Sequence, residues 1–121
     1  MHLKQIIGKI GEQKACNYLE KNNYIIIDKN FYCRQGEIDI IAKDIDRNEL
    51  VFVEVKSRTN FKFGKPSESV NKKKRNHIFR VAEYYLYIKK IKNENIRLDV
   101  IEIYFNIYTN KFRINHIKQV I

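Results

Sequence analysis

The chain has 121 residues, of which 44% are hydrophobic and 31% are charged, and it carries a formal net charge of +10. This length fits one domain, spanning residues 1–121, with a modest core. The apolar runs are far shorter than the roughly 20 residues of a membrane-spanning helix, and the N-terminus lacks the apolar stretch of a signal peptide, so we expect no membrane partner and a cytoplasmic location.

The first expected element is a helix from Leu3 to about Asn22. Apolar and small side chains recur along it at helical spacing, and no proline interrupts it. Gly8 and Gly11 lie on or beside this stripe, and each costs a helix interior about 1 kcal/mol. We therefore expect both glycines to pack closely against a sheet. The stripe consists of Leu3, Ile7, Ile10, Gly11, Tyr18 and Leu19.

Three strands are predicted to follow this helix. The first runs from Tyr24 to Tyr32, with Ile25–Ile27 as its buried segment. The next two, residues 36–42 and 50–58, are rich in Ile, Val and Phe and are separated by a polar break. Such a pattern predicts two strands joined by a reversal of the chain.

The reversal between residues 36–42 and 50–58 determines which side chains meet. If it is centred between Asp46 and Arg47, then Asp39 lies directly across from Glu54. Opposed residues of an antiparallel pair have their Cβ atoms about 4.5–5.5 Å apart. Two carboxylates this close repel each other unless a cation or a proton lies between them.

Positive charge is concentrated after the third strand. Between Lys56 and Arg80 there are nine Lys or Arg residues and one Glu, which gives +8 in 25 residues. Clusters of this kind bind polyanions through their phosphates, with an affinity that depends on salt. An ordinary charged surface would spread the excess, so the cluster favours nucleic acid as the partner.

The remaining chain is predicted as a helix from about Ser67 to Lys90, then strands from Ile96 to Ile107 and from Phe112 to Ile117. The helix has an apolar stripe that Lys74 interrupts. We find no recognisable chemistry in the two closing strands, and no histidine receives a catalytic role. The order α-β-β-β-α-β-β predicts an α/β or α+β fold with a central mixed sheet flanked by helices. The stripe is Val70, Lys74, Ile78, Val81, Tyr85 and Ile88.

The opposed Asp39 and Glu54 form a candidate metal site. Mg²⁺ takes hard oxygen ligands, often one or two carboxylates together with phosphate and water. Lys56 lies on the same strand face as Glu54, where it could orient a water or meet charge developing on a phosphate. The alternative is an ordinary solvated Glu54–Lys56 ion pair, which would contribute little to stability.

Asp39 followed by Glu54, Val55 and Lys56 resembles the PD-(D/E)XK nuclease signature. More closely, several segments together resemble the YraN family of small bacterial proteins. The resemblance covers about the first 86 residues, and the set of motifs is specific where the nuclease tripeptide alone would be weak. The matching segments are Gly36–Ala42, Val51–Arg58, Gly11–Ala15, Phe63–Pro66 and Val70–Lys74.

This resemblance implies a restriction-endonuclease-like fold, related to archaeal-type Holliday-junction resolvases and to the tRNA-endonuclease-like fold. It implies a nuclease that uses Mg²⁺ or Mn²⁺, with the metal held by Asp39, Glu54 and the Val55 carbonyl, and with Lys56 assisting the attacking water. It also makes Glu12 a candidate fourth site group, because related resolvases place a first-helix glutamate near the metal. The kinship further implies a branched or structured DNA substrate and a homodimer.

The sequence leaves three functions open. In the first, a nuclease grips the nucleic-acid backbone without reading sequence, through Arg58 and the run Lys72, Lys73, Lys74 and Arg75. In the second, a non-catalytic module of the same fold binds nucleic acid without cutting it. The third is a basic protein associated with the ribosome or with RNA, which would have no use for clustered carboxylates.

Overall fold

The computed structural model describes residues 3–59 and 72–120, and for residues 72–75 it describes only the backbone. The elements within these ranges follow the predicted order α-β-β-β-α-β-β. The predicted helix start at Ser67 lies outside the described residues. The elements are α1 (Leu3–Lys21), β1 (Tyr24–Cys33), β2 (Gly36–Asp44), β3 (Glu49–Thr59), α2 (Lys72–Ile88), β4 (Asn95–Asn106) and β5 (Lys111–Ile117).

The five strands form one mixed sheet in the order β1-β2-β3-β4-β5. β2 is antiparallel to both of its neighbours, and β5 is antiparallel to β4. β3 and β4 are parallel, which requires a crossover between them. The predicted α+β architecture is therefore confirmed, and the arrangement is consistent with a restriction-endonuclease-like fold.

The two helices bury opposite faces of the sheet. Ala15 and Leu19 of α1 pack on a cluster that contains Val51 and Val53, whereas Val81 and Tyr85 of α2 belong to a second cluster, with Phe52. Successive residues of β3 and β4 are buried because both of their faces are covered. No helix in the described part of the chain is long and apolar enough to cross a bilayer.

The prediction that Ile25–Ile27 is a buried segment is wrong. Ile25 is 57% exposed and Ile27 is 48% exposed, and only Ile26 packs against a core cluster. β1 is an edge strand, so part of its surface has no helix over it. A bulge between Ile26 and Asp28 also removes Ile27 from the ladder.

The predicted helical stripes are correct near the middle of the sheet and wrong at its margins. In α2, Ile78, Val81 and Tyr85 are buried as expected, but Ile88 is 40% exposed. In α1, Leu3 and Ile10 are exposed. Ile10 directly precedes Gly11, which packs on Ser57 of β3, so Ile10 lies at the side of the buried helix face rather than on it. Val70 and the Lys74 side chain lie outside the described residues.

The two helix glycines have different surroundings. A Cβ on Gly11 would collide with the Ser57 side chain, so this glycine permits the close approach of α1 to β3 that was expected. A Cβ on Gly8 would meet no atom of the described residues within 4 Å. The prediction of close packing is therefore confirmed for Gly11 and wrong for Gly8.

Candidate functional site

The hairpin of β2 and β3 has the predicted register. Ile40 pairs with Val53 and Ile41 pairs with Phe52, and continuing this register by one residue sets Asp39 opposite Glu54. The backbone ladder ends at Ile40, and the Asp39 side chain takes over there: its Oδ2 accepts a hydrogen bond from the Val55 amide at 2.8 Å. Asp39 is thus attached to the segment that carries Glu54.

The Asp39 carboxyl group is half-buried, and its pKa is raised to about 7. Burial is the main cause, and the hydrogen bond from Val55 opposes it. The nearby carboxylates of Glu54 and Glu12 raise the pKa further. Because Glu54 and Glu12 both affect the Asp39 pKa, three of the predicted site residues lie in one neighbourhood. A cation bound among them would lower the Asp39 pKa and so favour loss of its proton.

Glu54 and Lys56 form an ion pair on β3, with Lys56 Nζ 2.9 Å from Glu54 Oε1. The two side chains are only 13% and 21% exposed, respectively. This pair is therefore not the solvated surface pair that the sequence left open as an alternative. Its low exposure strengthens the field of both charges at the site.

Glu12 reaches the site from α1 and is held by a residue that the sequence did not single out. The Asn30 side chain hydrogen-bonds to Glu12; burial raises the Glu12 pKa, and this bond opposes the rise. Asn30 lies next to Asp39 across the β1–β2 ladder, because Lys29 pairs with Ile40 and Phe31 pairs with Ile38. Its φ of 52° is left-handed, a conformation that asparagine tolerates better than most residues.

The donor atoms suit a hard divalent cation. Asp39 and Glu54 supply two carboxylates, which is the protein's usual share of a Mg²⁺ shell that phosphate and water complete, and the Val55 carbonyl follows on the same strand. Within residues 3–59 and 72–120, no group of three or more His, Cys, Asp or Glu side chains is close enough to hold a metal ion. Glu12 therefore lies near the two carboxylates without joining them in a closed set of ligands.

The predicted nucleic-acid contacts are described only in part. Arg58 is a half-buried residue of β3 that pairs with Tyr104 of β4 across the parallel ladder. Lys72, Lys73, Lys74 and Arg75 form the first turn of α2, but their side chains lie outside the described part of the chain. Their role in binding stays a prediction.

Residues 11–103 match the family model described as Uncharacterised protein family UPF0102. The chain belongs to this family. The UPF0102 protein of Caldicellulosiruptor saccharolyticus is 47% identical over 115 residues, covering 95% of this chain and 96% of the relative. That of Clostridium tetani is 51% identical over 112 residues, covering 93% and 90%. The resemblance to the YraN family, another name for UPF0102, is confirmed.

This UPF0102 chain also has a buried polar cluster that sequence reasoning missed, centred on Arg97. The Arg97 guanidinium donates to both oxygens of Asp99, at 2.9 and 3.0 Å. It also donates to Asp44, Glu49 and the Tyr24 hydroxyl, at 2.9, 2.8 and 2.7 Å. Asp44 is five residues from Asp39 along β2, or about 17 Å, so this cluster is separate from the candidate metal site.

His116 belongs to the Arg97 cluster, although the sequence showed no partner for it. Burial raises the pKa of Asp99, but hydrogen bonds from His116 and Arg97 outweigh this and hold the pKa low. The ionised Asp99 can only accept, so His116 Nε2 donates to it at 2.7 Å. The other ring nitrogen, Nδ1, is 2.9 Å from the Tyr18 hydroxyl of α1. The arrangement fastens β5 and α1 to β4.

Proposed function

We propose that this protein is a divalent-metal-dependent nuclease that hydrolyses phosphodiester bonds in nucleic acid, with DNA as the substrate. The observation that carries the proposal is the half-buried Asp39 carboxyl group, fixed by the Val55 amide beside Glu54 and raised in pKa to about 7. A fold gains nothing in stability from bringing these carboxylates together. The arrangement is explained if a cation binds between them.

Each site residue has a role in this proposal. Mg²⁺ or Mn²⁺ would lower the pKa of a bound water and neutralise charge on the phosphate. Asp39 and Glu54 would hold the ion with the Val55 carbonyl, while Glu12 would accept a hydrogen bond from the water that completes the shell. Lys56, already anchored on Glu54 at 2.9 Å, would orient the attacking water and stabilise negative charge as it develops.

The basic residues would bind the backbone of the nucleic acid. Arg58 and the run from Lys72 to Arg75 would contact phosphates, which gives affinity without sequence specificity. If about six phosphates are contacted, affinity should fall about 10³-fold between 50 and 200 mM salt. Because the family is related to resolvases, we also propose that the nuclease acts on branched or structured DNA and that it does so as a homodimer.

The second candidate is a non-catalytic module that binds nucleic acid through the same basic residues. One observation favours it: Glu12 does not join Asp39 and Glu54 in a ligand group within the described residues. Under this alternative the site would bind an ion weakly, or only together with nucleic acid, and no bond would be cut.

A cleavage assay with a Glu54→Gln variant separates the two candidates. Labelled single-stranded, duplex, flap and four-way-junction DNA are incubated with Mg²⁺ or Mn²⁺. The matched control is Glu20→Gln, an exposed glutamate of α1. We expect metal-dependent cutting by the wild type and the control, and none by Glu54→Gln, which should still bind DNA without metal. Cutting that persists in Glu54→Gln would refute the site assignment, and binding without cutting by the wild type would favour the module.

A further inference from the structure

A groove runs beside the candidate metal site, between the first turns of α1 and the second half of β3. Its volume is about 680 Å³. Glu12 and Lys56 line it together with Arg58, and Ile107, the first residue after β4, closes one side. The groove therefore begins at two of the residues to which the proposed function assigns chemistry.

The groove has apolar walls and a basic rim. Ile7, Val55 and Ile107 provide apolar surface. Among the described residues that line the groove, Lys4, Lys56 and Arg58 are cationic and Glu12 is acidic, and Lys56 is paired with Glu54, so three cations face two acids. Apolar side chains around an open groove mark a binding surface. The excess of cations selects an anionic occupant, and the apolar walls select one that also has flat, weakly polar faces.

Gly8 lies on the α1 wall of this groove. The contact with Ser57 accounts for the glycine at position 11. A Cβ on Gly8 would have no atom of the described part of the chain within 4 Å. Glycine destabilises the interior of a helix, so packing gives no reason for its presence there. A glycine at an open wall does allow a ligand to approach the backbone closely.

We propose that this groove binds one unpaired strand of nucleic acid and leads it to the carboxylates, so that the substrate class is single-stranded or has a single-stranded arm. Bases would pack on the apolar wall at Ile7 and Gly8, as bases do on apolar side chains in other enzymes. Phosphates would contact Lys4 and Arg58. The inference rests on the proposed function for what happens to the strand, but not for its binding.

The size of the groove favours a single strand over a duplex. A volume of about 680 Å³ is that of a pocket for one compact ligand, since such pockets span about 300–1,000 Å³. A duplex presents grooves about 12 and 6 Å wide and keeps its bases stacked inside, so it cannot bring base faces to Ile7 or Gly8. An unpaired strand can bring both its base faces and its phosphates.

The test fills the groove without weakening the helix. Gly8→Leu places a side chain in the groove, and Gly8→Ala places only a methyl group there. Both residues form helices better than glycine, so neither variant should have a lower Tm than the wild type. The control, Gln13→Leu, adds the same side chain at an exposed position of α1 that does not line the groove.

Binding is measured by fluorescence anisotropy in EDTA, with labelled oligothymidylate, oligouridylate and a blunt DNA hairpin as probes. We expect the single strands to bind more tightly than the hairpin, and Gly8→Leu to weaken their binding about tenfold or more. Gly8→Ala should weaken this binding less. Gln13→Leu should bind single strands as tightly as the wild type does, and Gly8→Leu should leave the affinity for the hairpin unchanged. The inference would be overturned if Gly8→Leu bound single strands as tightly as the wild type does, or if the wild type bound the hairpin more tightly than the single strands.

The groove proposal and the nuclease proposal can be refuted independently. If the wild type binds single strands, Gly8→Leu weakens that binding, and the wild type cuts nothing in Mn²⁺, then the groove is supported and the nuclease is refuted. If the wild type cuts DNA and Gly8→Leu cuts it equally well, the nuclease stands and the groove is wrong. A wild type that binds no probe at low salt refutes the groove, and the cleavage assay on flap and junction DNA then decides on the nuclease.

Discussion

The Val55 amide donates a hydrogen bond to the Asp39 carboxylate at 2.8 Å. The bond replaces a rung of the ladder at the place where β2 and β3 cease to pair through their backbones. A side chain that serves as a backbone partner is held in one position, and its charge is held with it. The position of Asp39 relative to Glu54 is therefore set by the sheet itself.

Replacing Asp39 by asparagine should stabilise the fold at high pH. The folded pKa of Asp39, about 7, is above its ordinary value of 3.8, so the folded state binds a proton that the unfolded state has lost, and stability falls as pH rises between these values. The asparagine side chain keeps an oxygen that can accept from the Val55 amide, and it carries no charge. Urea unfolding should show a gain of about 1–3 kcal/mol near pH 8 and little change near pH 4. A loss of stability near pH 8 would contradict this.

Mn²⁺ binding should be coupled to the proton on Asp39. A metal ligand must be deprotonated, so binding releases protons and tightens with pH. Because the Asp39 pKa is about 7, we expect Mn²⁺ affinity to rise about fivefold between pH 6 and pH 7 and to change little above pH 8. Calorimetry in buffers of different ionisation enthalpy measures the protons released. The Asp39→Asn variant should show weak binding with no pH dependence in this range.

Arg97→Met should destabilise the protein strongly. It leaves Asp99 and Asp44 buried without their cation, and breaking a buried ion pair in this way costs about 3–5 kcal/mol. The comparison is Lys43→Met, which breaks the more exposed 2.9 Å pair with Glu94 and should cost about 0–1 kcal/mol. Denaturant unfolding at pH 7 measures both. Equal costs for the two variants would mean that the Arg97 cluster contributes no more than a surface pair.

Gly11→Ala should lower stability, in contrast to Gly8→Ala. Its methyl group would overlap the Ser57 side chain, and overpacking of this kind costs about 1–3 kcal/mol. Ser57→Ala removes the hydroxyl oxygen that is in the way, so the double variant should regain part of the loss. A double-mutant cycle by thermal unfolding measures this coupling, and purely additive effects would show that the two residues do not meet.

The hairpin and the neighbourhood of Asp39 and Glu54 could be predicted because the signals are local. The alternation of apolar residues and the position of the reversal set the register, and the register brings the two carboxylates together. Asn30 could have been found by the same logic: it is a poor strand former inside a β pattern, and such a residue often marks a special backbone position.

The Arg97 cluster could not be predicted from the sequence. Asp44, Asp99 and His116 come from β2, β4 and β5, and each in isolation is an ordinary polar residue of a strand. The error at Ile25–Ile27 has a related cause. Three consecutive isoleucines have the composition of a central strand, and only the order of strands in the sheet reveals that β1 lies at an edge.

The two helices are attached to the sheet by different forces. α1 has a hydrogen bond from Tyr18 to His116 in addition to its apolar contacts, whereas Ile78, Val81 and Tyr85 of α2 hold it through apolar packing. Apolar packing has no preferred direction, whereas a hydrogen bond fixes the two groups that it joins. Glu12 thus lies on a helix that has a polar anchor to the sheet, and the basic turn from Lys72 to Arg75 lies on the other helix. In the proposed nuclease, this anchor would help to hold the position of Glu12 relative to the carboxylates of the sheet.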